Sequence, residues 1–299
     1  MISRRAVLLS PLALASVPTV SAQSGKMMLA IHQNTSLSAG YRGSLEGWSR
    51  AGVRGAEIVA EQLDEFLKTN TTAAARRLFS DLNLRPVSGA SRVGELWEPH
   101  PGNAAAREMF RRRCELFVSV GLTGIYSPTS TTGTFTEDDY KIGADNMRAV
   151  GEIAREFGMT AMVESVRAST FISTLPTLLR TTRAAAHPNL KPLLDCYHFW
   201  SGNNRLEDLD LIQPGEIGHM HFQDVPDLPR ELLTNATRII PGDGASPLVT
   251  ILGKVASKGY SGALSVELFL PRFQQGDPFA VASEIRRKSE AVMRQAGVL

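Results

Sequence analysis

The chain has 299 residues, 43% of them apolar and 21% charged, the balance of an ordinary globular protein long enough for two small domains or one (β/α)8 barrel. Its formal charge is +2, and both excess positive charges lie in the first few residues: without Arg4 and Arg5, 30 basic residues face 30 acidic ones. Such neutrality excludes the basic surface that a nucleic-acid partner or an anionic membrane demands, and two cysteines exclude a zinc–cysteine site.

The chain opens on "MISRRAVLLSPLALASVPTVSAQ". Arg4 and Arg5, an apolar run from Ala6 to about Val17, and small residues Val20, Ser21 and Ala22 have the layout of an export signal over residues 1–22, cleaved after Ala22. Ser3-Arg4-Arg5 resembles a twin-arginine signal, with a general secretory signal as the alternative; either predicts an exported, periplasmic protein. The run is too short, and broken by Pro11 and Pro18, for stable membrane insertion.

Past this segment, short apolar runs alternate with amphipathic stretches. Strands are predicted over 27–32, 55–60, 84–90, 122–128, 159–165, 190–199, 216–224 and 262–269, with helices between most of them. In "EDDYKIGADNMRAVGEIAREFG", Ile142, Met147, Val150, Ile153 and Ala154 fall on one face at helical period. Gly52, Gly121, Gly158 and Gly259 stand where a left-handed helix C-cap is needed before the next strand. Cys114 lies in a helical stretch and Cys196 follows a strand, so no disulfide is expected between them. Strand and helix repeated eight times predict an α/β protein, a single-domain (β/α)8 TIM barrel over residues 27–299. An open doubly wound sheet is the alternative, weakened by the lack of a G-x-G-x-x-G turn after the first strand.

Barrel chemistry gathers at the carboxyl ends of the strands. Strand five brings Glu164 there, strand six Asp195 and then His198, strand seven His219, His221 and Asp224, and strand eight Glu267, the one charge in "GALSVELFLP". One buried carboxylate can be explained by an ion pair, but three close together repel strongly, and these strands contain no basic residue beside them. A divalent cation resolves the conflict; two Glu, one Asp and one His suit Mn²⁺, Mg²⁺, Co²⁺ or Zn²⁺. His221, nearer the strand end, is preferred over His219 as the imidazole ligand. His198 reads as a substrate contact, His32 as a substrate contact or a polar residue of the barrel mouth, and Asp224 as a site residue or a helix cap. His100 and His187 lie in loops and read as structural.

These residues carry a resemblance. "LLDCYHFWSG", "HMHFQDVPDLPRELLTNATRIIPGDGASPL" and "KGYSGALSVELFLPRF", with a weaker match at "GVRGAEIVAEQLDEFLK", resemble the xylose isomerase-like TIM barrels, the sugar phosphate isomerase/epimerase family, and within it most closely the 2-keto-myo-inositol (inosose) isomerase branch. The resemblance implies metal ligands at Glu164, Asp195, His221 and Glu267, separated by 31, 26 and 46 residues, and a sugar-site edge at Arg238 and "PGDG". Ketose 3-epimerases of the family have a further Glu six residues past the first ligand, where this chain has Thr170. The extra ligands of endonuclease IV are not found among only six histidines.

The expectation is a divalent-metal-dependent isomerase or epimerase of a keto-sugar or keto-inositol that works through a metal-stabilised enediolate. Glu164 and Glu267 would act as acid and base, and His198, Arg238 and His32 would bind substrate. A lyase or dehydratase of 3-keto sugars or glycosides would use the same enediolate and expel a β-substituent, and an exported sugar-binding protein without turnover is the non-enzymatic alternative. The expected partner is a small sugar or cyclitol.

Overall fold

The structure, a computed structural model, describes residues 26–299; the signal-like segment 1–22 lies outside the described residues. Eight strands, β1 Met28–His32, β2 Gly55–Val59, β3 Arg85–Ala90, β4 Gly124–Pro128, β5 Thr160–Glu164, β6 Leu190–Asp195, β7 His219–His221 and β8 Ala263–Val266, close into a parallel barrel in chain order. Closure is between β1 and β8, with Ile31 opposite Val266. The helices are α1 Gly40–Arg50, α2 Ala60–Leu67, α3 Thr72–Asp81, α4 Asn103–Ser119, α5 Asp139–Glu156, α6 Leu175–Ala185, α7 Cys196–Ser201, α8 Leu248–Ser257, α9 Pro271–Gln274 and α10 Pro278–Gln295.

Because side chains alternate across each strand, one set packs outward under the helices and the other fills the barrel. Outward residues such as Ile31, Ile58, Ile125 and Leu194 join Leu45, Trp48, Phe110 and Phe117 in a large fully buried core. Inside, Val59, Ala90, Tyr126, Met162 and Leu193 form a smaller apolar layer. The polar residues of β1, β2 and β5 to β7 share that inward parity, so the register that builds the core also aims His32, Glu57, Glu164, Asp195 and His221 at the axis. Gly55 is required by this packing: a Cβ there would lie 2.6 Å from the Cβ of Ala30.

The four capping glycines have φ between +66° and +93°, as their positions predict. Cys114 and Cys196 are free and buried. Ile142 departs from the predicted helix face: it is 47% exposed, while Met147, Val150, Ile153 and Ala154 are buried. All eight strands are shorter than their apolar runs, the last three by the most. Strand six ends at Asp195 instead of 199, because the Asp195 carboxylate accepts the His198 backbone N–H at 2.7 Å and starts α7 there. Strand seven spans only His219–His221, and strand eight ends at Val266, so Glu267 lies just past its strand. No described helix is long and apolar enough to cross a membrane.

Candidate metal centre

At the carboxyl end of the barrel the Nδ1 atom of His221 lies 3.0 Å from Glu164 Oε1, 3.4 Å from Asp195 Oδ2 and 3.7 Å from Glu267 Oε2. All four residues are buried, and one ligand atom from each falls within 4.8 Å of the others. These separations resemble the edges of a coordination polyhedron with metal–ligand bonds of roughly 2.0–2.2 Å. The donor set of three carboxylates and one imidazole therefore fits a divalent ion, and the four expected residues are those the barrel brings together.

The strands carry no basic partner for these acids, but Arg238, expected at the edge of the site, supplies one from a loop. From the long loop after β7, its Nη1 donates to Asp195 Oδ2 at 2.9 Å and to Glu267 Oε2 at 2.7 Å, and its Nη2 faces His198 Nε2 at 2.9 Å. The guanidinium is 2% exposed and packs against the rings of Tyr197 and Phe269. One cation cannot balance Glu57, Glu164, Asp195 and Glu267 together, so the excess negative charge that argues for an ion persists.

The carboxyls respond differently to this field. Burial raises Glu164 to about 7, because His221 only partly offsets it and Asp195 and Glu267 add to the rise. Burial also opposes ionisation of Asp195 and Glu267, yet the Arg238 guanidinium beside them holds both below the usual carboxylate range. His32 and His198 are kept neutral by burial, at about 4 and about 3.

Glu164, His198, Arg238 and Glu267 line a cavity of about 180 Å³ together with Arg92, Tyr126, Asn235 and Phe269. His32 is not among the lining residues. It is fully buried, accepts the Asn34 N–H at Nδ1 and meets the Tyr126 hydroxyl at 3.0 Å through Nε2, so the polar-mouth alternative describes it better than direct substrate contact.

Asp224 is neither ligand nor helix cap. It accepts the backbone N–H groups of Gly242, Gly244 and Ser246 and so pins the "PGDG" loop. A Cβ at Gly244 would come within 2.1 Å of the Val225 carbonyl, which explains the glycine in that loop. His100 and His187 pair with Glu95 and Glu152 away from the site. Thr170 is exposed and bonds to Thr131.

Several site residues escaped the sequence reading. Asn34 donates to Glu267 Oε1 at 2.9 Å and is itself held by Arg92 at 2.6 Å; Gln223 donates to Asp195 Oδ2 at 2.6 Å. Arg92 has φ +59°, a left-handed conformation uncommon for a non-glycine residue and a signal found only in the backbone. Glu57, wholly buried in β2, could have been found by the argument applied to Glu267, an acid inside an otherwise apolar strand.

Comparison with known proteins agrees with this geometry. Residues 46–292 match the xylose isomerase-like TIM barrel family. An inosose isomerase of Halalkalibacterium halodurans is 26% identical over 72% of this chain and 77% of its own length. A 3-dehydroshikimate dehydratase of Pseudomonas aeruginosa is 27% identical over 80% of this chain, which spans 38% of that protein. Among solved structures, the IOLI protein with a bound zinc atom superposes with a TM-score of 0.84 at 21% identity, over 90% of this chain and 99% of that one.

Proposed function

This chain belongs to the xylose isomerase-like TIM barrel family, and we propose that it is a divalent-metal-dependent isomerase or epimerase acting on a keto-sugar or keto-inositol. The observation that carries the proposal is the convergence of Glu164, Asp195, His221 and Glu267 on one point beside a small polar cavity. The relative named inosose isomerase supports the substrate class, and the zinc-bound structural neighbour supports the ion. When bound, the ion supplies electrophilic stabilisation of negative charge that develops on substrate oxygen.

The remaining work falls to side chains. Glu164, a carboxylate that borders the cavity, suits removal of the C–H proton next to the carbonyl. Glu164 then holds that proton and returns it to the neighbouring carbon of the enediolate, either directly or by way of the ionised Glu267 carboxylate, which first accepts it. Arg238 and His198 orient substrate oxygens, and Arg238 also keeps Asp195 and Glu267 ionised.

The test is exchange of the substrate α-proton in D₂O over a panel of ketoses and inososes with Zn²⁺, Mn²⁺, Co²⁺ and Mg²⁺ in turn. Exchange is expected with at least one pair, and Glu164→Gln should slow it by roughly 10²- to 10⁴-fold. Sugar affinity without exchange in the native protein would instead identify a binding protein. The dehydratase relative favours a second reading, in which the same enediolate expels a β-substituent; loss of water from the substrate rather than return of the proton distinguishes it. Export belongs to the same proposal: replacement of Arg4 and Arg5 by Lys should block twin-arginine export to the periplasm, and unaltered export would favour the general pathway.

A further inference from the structure

The inner face of β2 holds a carboxylate that this mechanism does not use. Glu57 is 0% exposed, and its hydrogen-bond partners among the described residues are two imidazoles. His219 Nε2 lies 3.1 Å from Glu57 Oε2, and His221 Nε2 lies 3.3 Å from Oε2 and 3.4 Å from Oε1. His219 approaches from the barrel floor, where it lines a separate cavity, and His221 approaches from the metal centre above. Glu57 therefore sits between two rings with no Lys or Arg partner.

A neutral imidazole carries one N–H, and the group facing each nitrogen decides where it resides. Glu57 meets no donor except these two rings among the described residues, so as a carboxylate it can only accept from them. It must draw an N–H from His221 Nε2. The Nδ1 lone pair of that ring is then aimed at Glu164, Asp195 and Glu267, an arrangement of four electron-pair donors that needs a cation in the middle. With the opposite tautomer, Nδ1–H would simply satisfy a carboxylate and the centre would lose its nitrogen ligand.

We propose that Glu57, seconded by His219, is the positioning residue that makes His221 a metal ligand, by fixing the ring proton on Nε2 and presenting Nδ1 to the ion. The inference rests on the metal reading above and adds to it the choice of ligating nitrogen. A second ion held by His32, Glu57 and His221, whose donor atoms also approach one another within 4.8 Å, is disfavoured by the same proton accounting. His32 Nδ1 accepts the Asn34 N–H, so its Nε2 carries the proton, and the Glu57 carboxylate already faces two other imidazole nitrogens.

The test uses the full processed chain labelled with ¹⁵N-histidine and loaded with ¹¹³Cd²⁺, with the His221 signals assigned by their loss in His221→Asn. The expected spectrum shows ¹¹³Cd coupling to Nδ1 and a directly bonded, slowly exchanging proton on Nε2, with one ion per chain. Glu57→Gln should weaken Cd²⁺ or Zn²⁺ binding by roughly 10- to 100-fold in calorimetry and speed exchange of that proton, while the far-UV spectrum stays native. Coupling to Nε2, two ions per chain, or unchanged affinity in a folded Glu57→Gln would overturn the assignment. If that variant does not fold, the wild-type spectrum decides alone. A wild-type protein that binds no ion at all would sink the metal reading itself, an outcome distinct from an ion bound equally well with and without Glu57.

Discussion

Replacing Arg238 with Met separates the two cations that the acid cluster can use. Methionine keeps an unbranched apolar stem between Tyr197 and Phe269 and removes the charge that donates to Asp195 at 2.9 Å and to Glu267 at 2.7 Å. Each hydrogen bond to a buried charge contributes about 1.5–3 kcal/mol, and stripping one partner from a buried ion pair costs about 3–5 kcal/mol because the other charge stays buried and unpaired. At roughly 2–4 °C per kcal/mol for a chain approaching this size, the metal-free variant should melt roughly 10 °C below the metal-free wild type. With zinc in excess the two charges of the ion face the same carboxylates, so the difference should fall to less than half. The assay is thermal unfolding of both proteins in EDTA and in zinc, followed by circular dichroism. Equal losses under the two conditions would refute the reasoning, for they would mean that Arg238 acts by packing and not as a counter-charge.

Three further outcomes follow from particular contacts. Burial moves His32 from 6.5 to about 4, so the unfolded chain binds a proton across that interval that the folded chain does not. The resulting stability is complete above pH 6.5 and is lost as the pH falls through 4, by on the order of 3 kcal/mol at 1.36 kcal/mol per pKa unit. Urea midpoints of the metal-free protein between pH 7 and 4 should therefore decline more steeply for wild type than for His32→Gln, and parallel curves would contradict this. Gly244→Ala forces a Cβ against the Val225 carbonyl and the Asp224 carboxylate; it should cost about 1–3 kcal/mol in chemical denaturation and lower turnover by displacing the loop that delivers Arg238. Native protein should not react with a thiol reagent, since Cys114, pushed up to about 12 by burial, and the fully buried Cys196 both stay protonated, whereas two thiols should titrate after unfolding.

What the sequence revealed, and what it hid, follows from how each residue is held in place. Strands buried on both faces read as continuous apolar runs, so a charge within one is conspicuous, and this makes Glu164, Asp195 and Glu267 legible in the sequence. The same pattern overran the strand ends. Apolar character continues through "CYHF" after Asp195, and only the local bond from the Asp195 carboxylate to the His198 N–H turns that stretch into α7. Arg238 was legible as a residue near the site, but its role was not, because a loop residue 43 positions from Asp195 reveals its partner only when the loop is folded back. Its anchor is equally non-local: Asp224 gathers three backbone N–H groups 18 to 22 residues further along, and the chain spells that contact only as a glycine-rich turn.

Glu57 repeats the pattern of Glu267 one layer down: in "GAEIVA" an acid stands between apolar neighbours, as in "LSVELF", and each raises the same question of what compensates a buried charge. Glu267 is the one charge in its apolar run and shares its end of the barrel with the acids and imidazoles of the neighbouring late strands. Glu57 belongs to the layer beneath, opposite His32 and Ser88 in the register, and its partners come from the far side of the barrel, 162 and 164 residues away. Closure of the sheet is what makes these residues neighbours. A carboxylate in an early strand of such a barrel is therefore best paired, at the outset, with the unassigned imidazoles of the late strands: here that rule gives His219, the histidine left over once His221 had been placed at the metal centre.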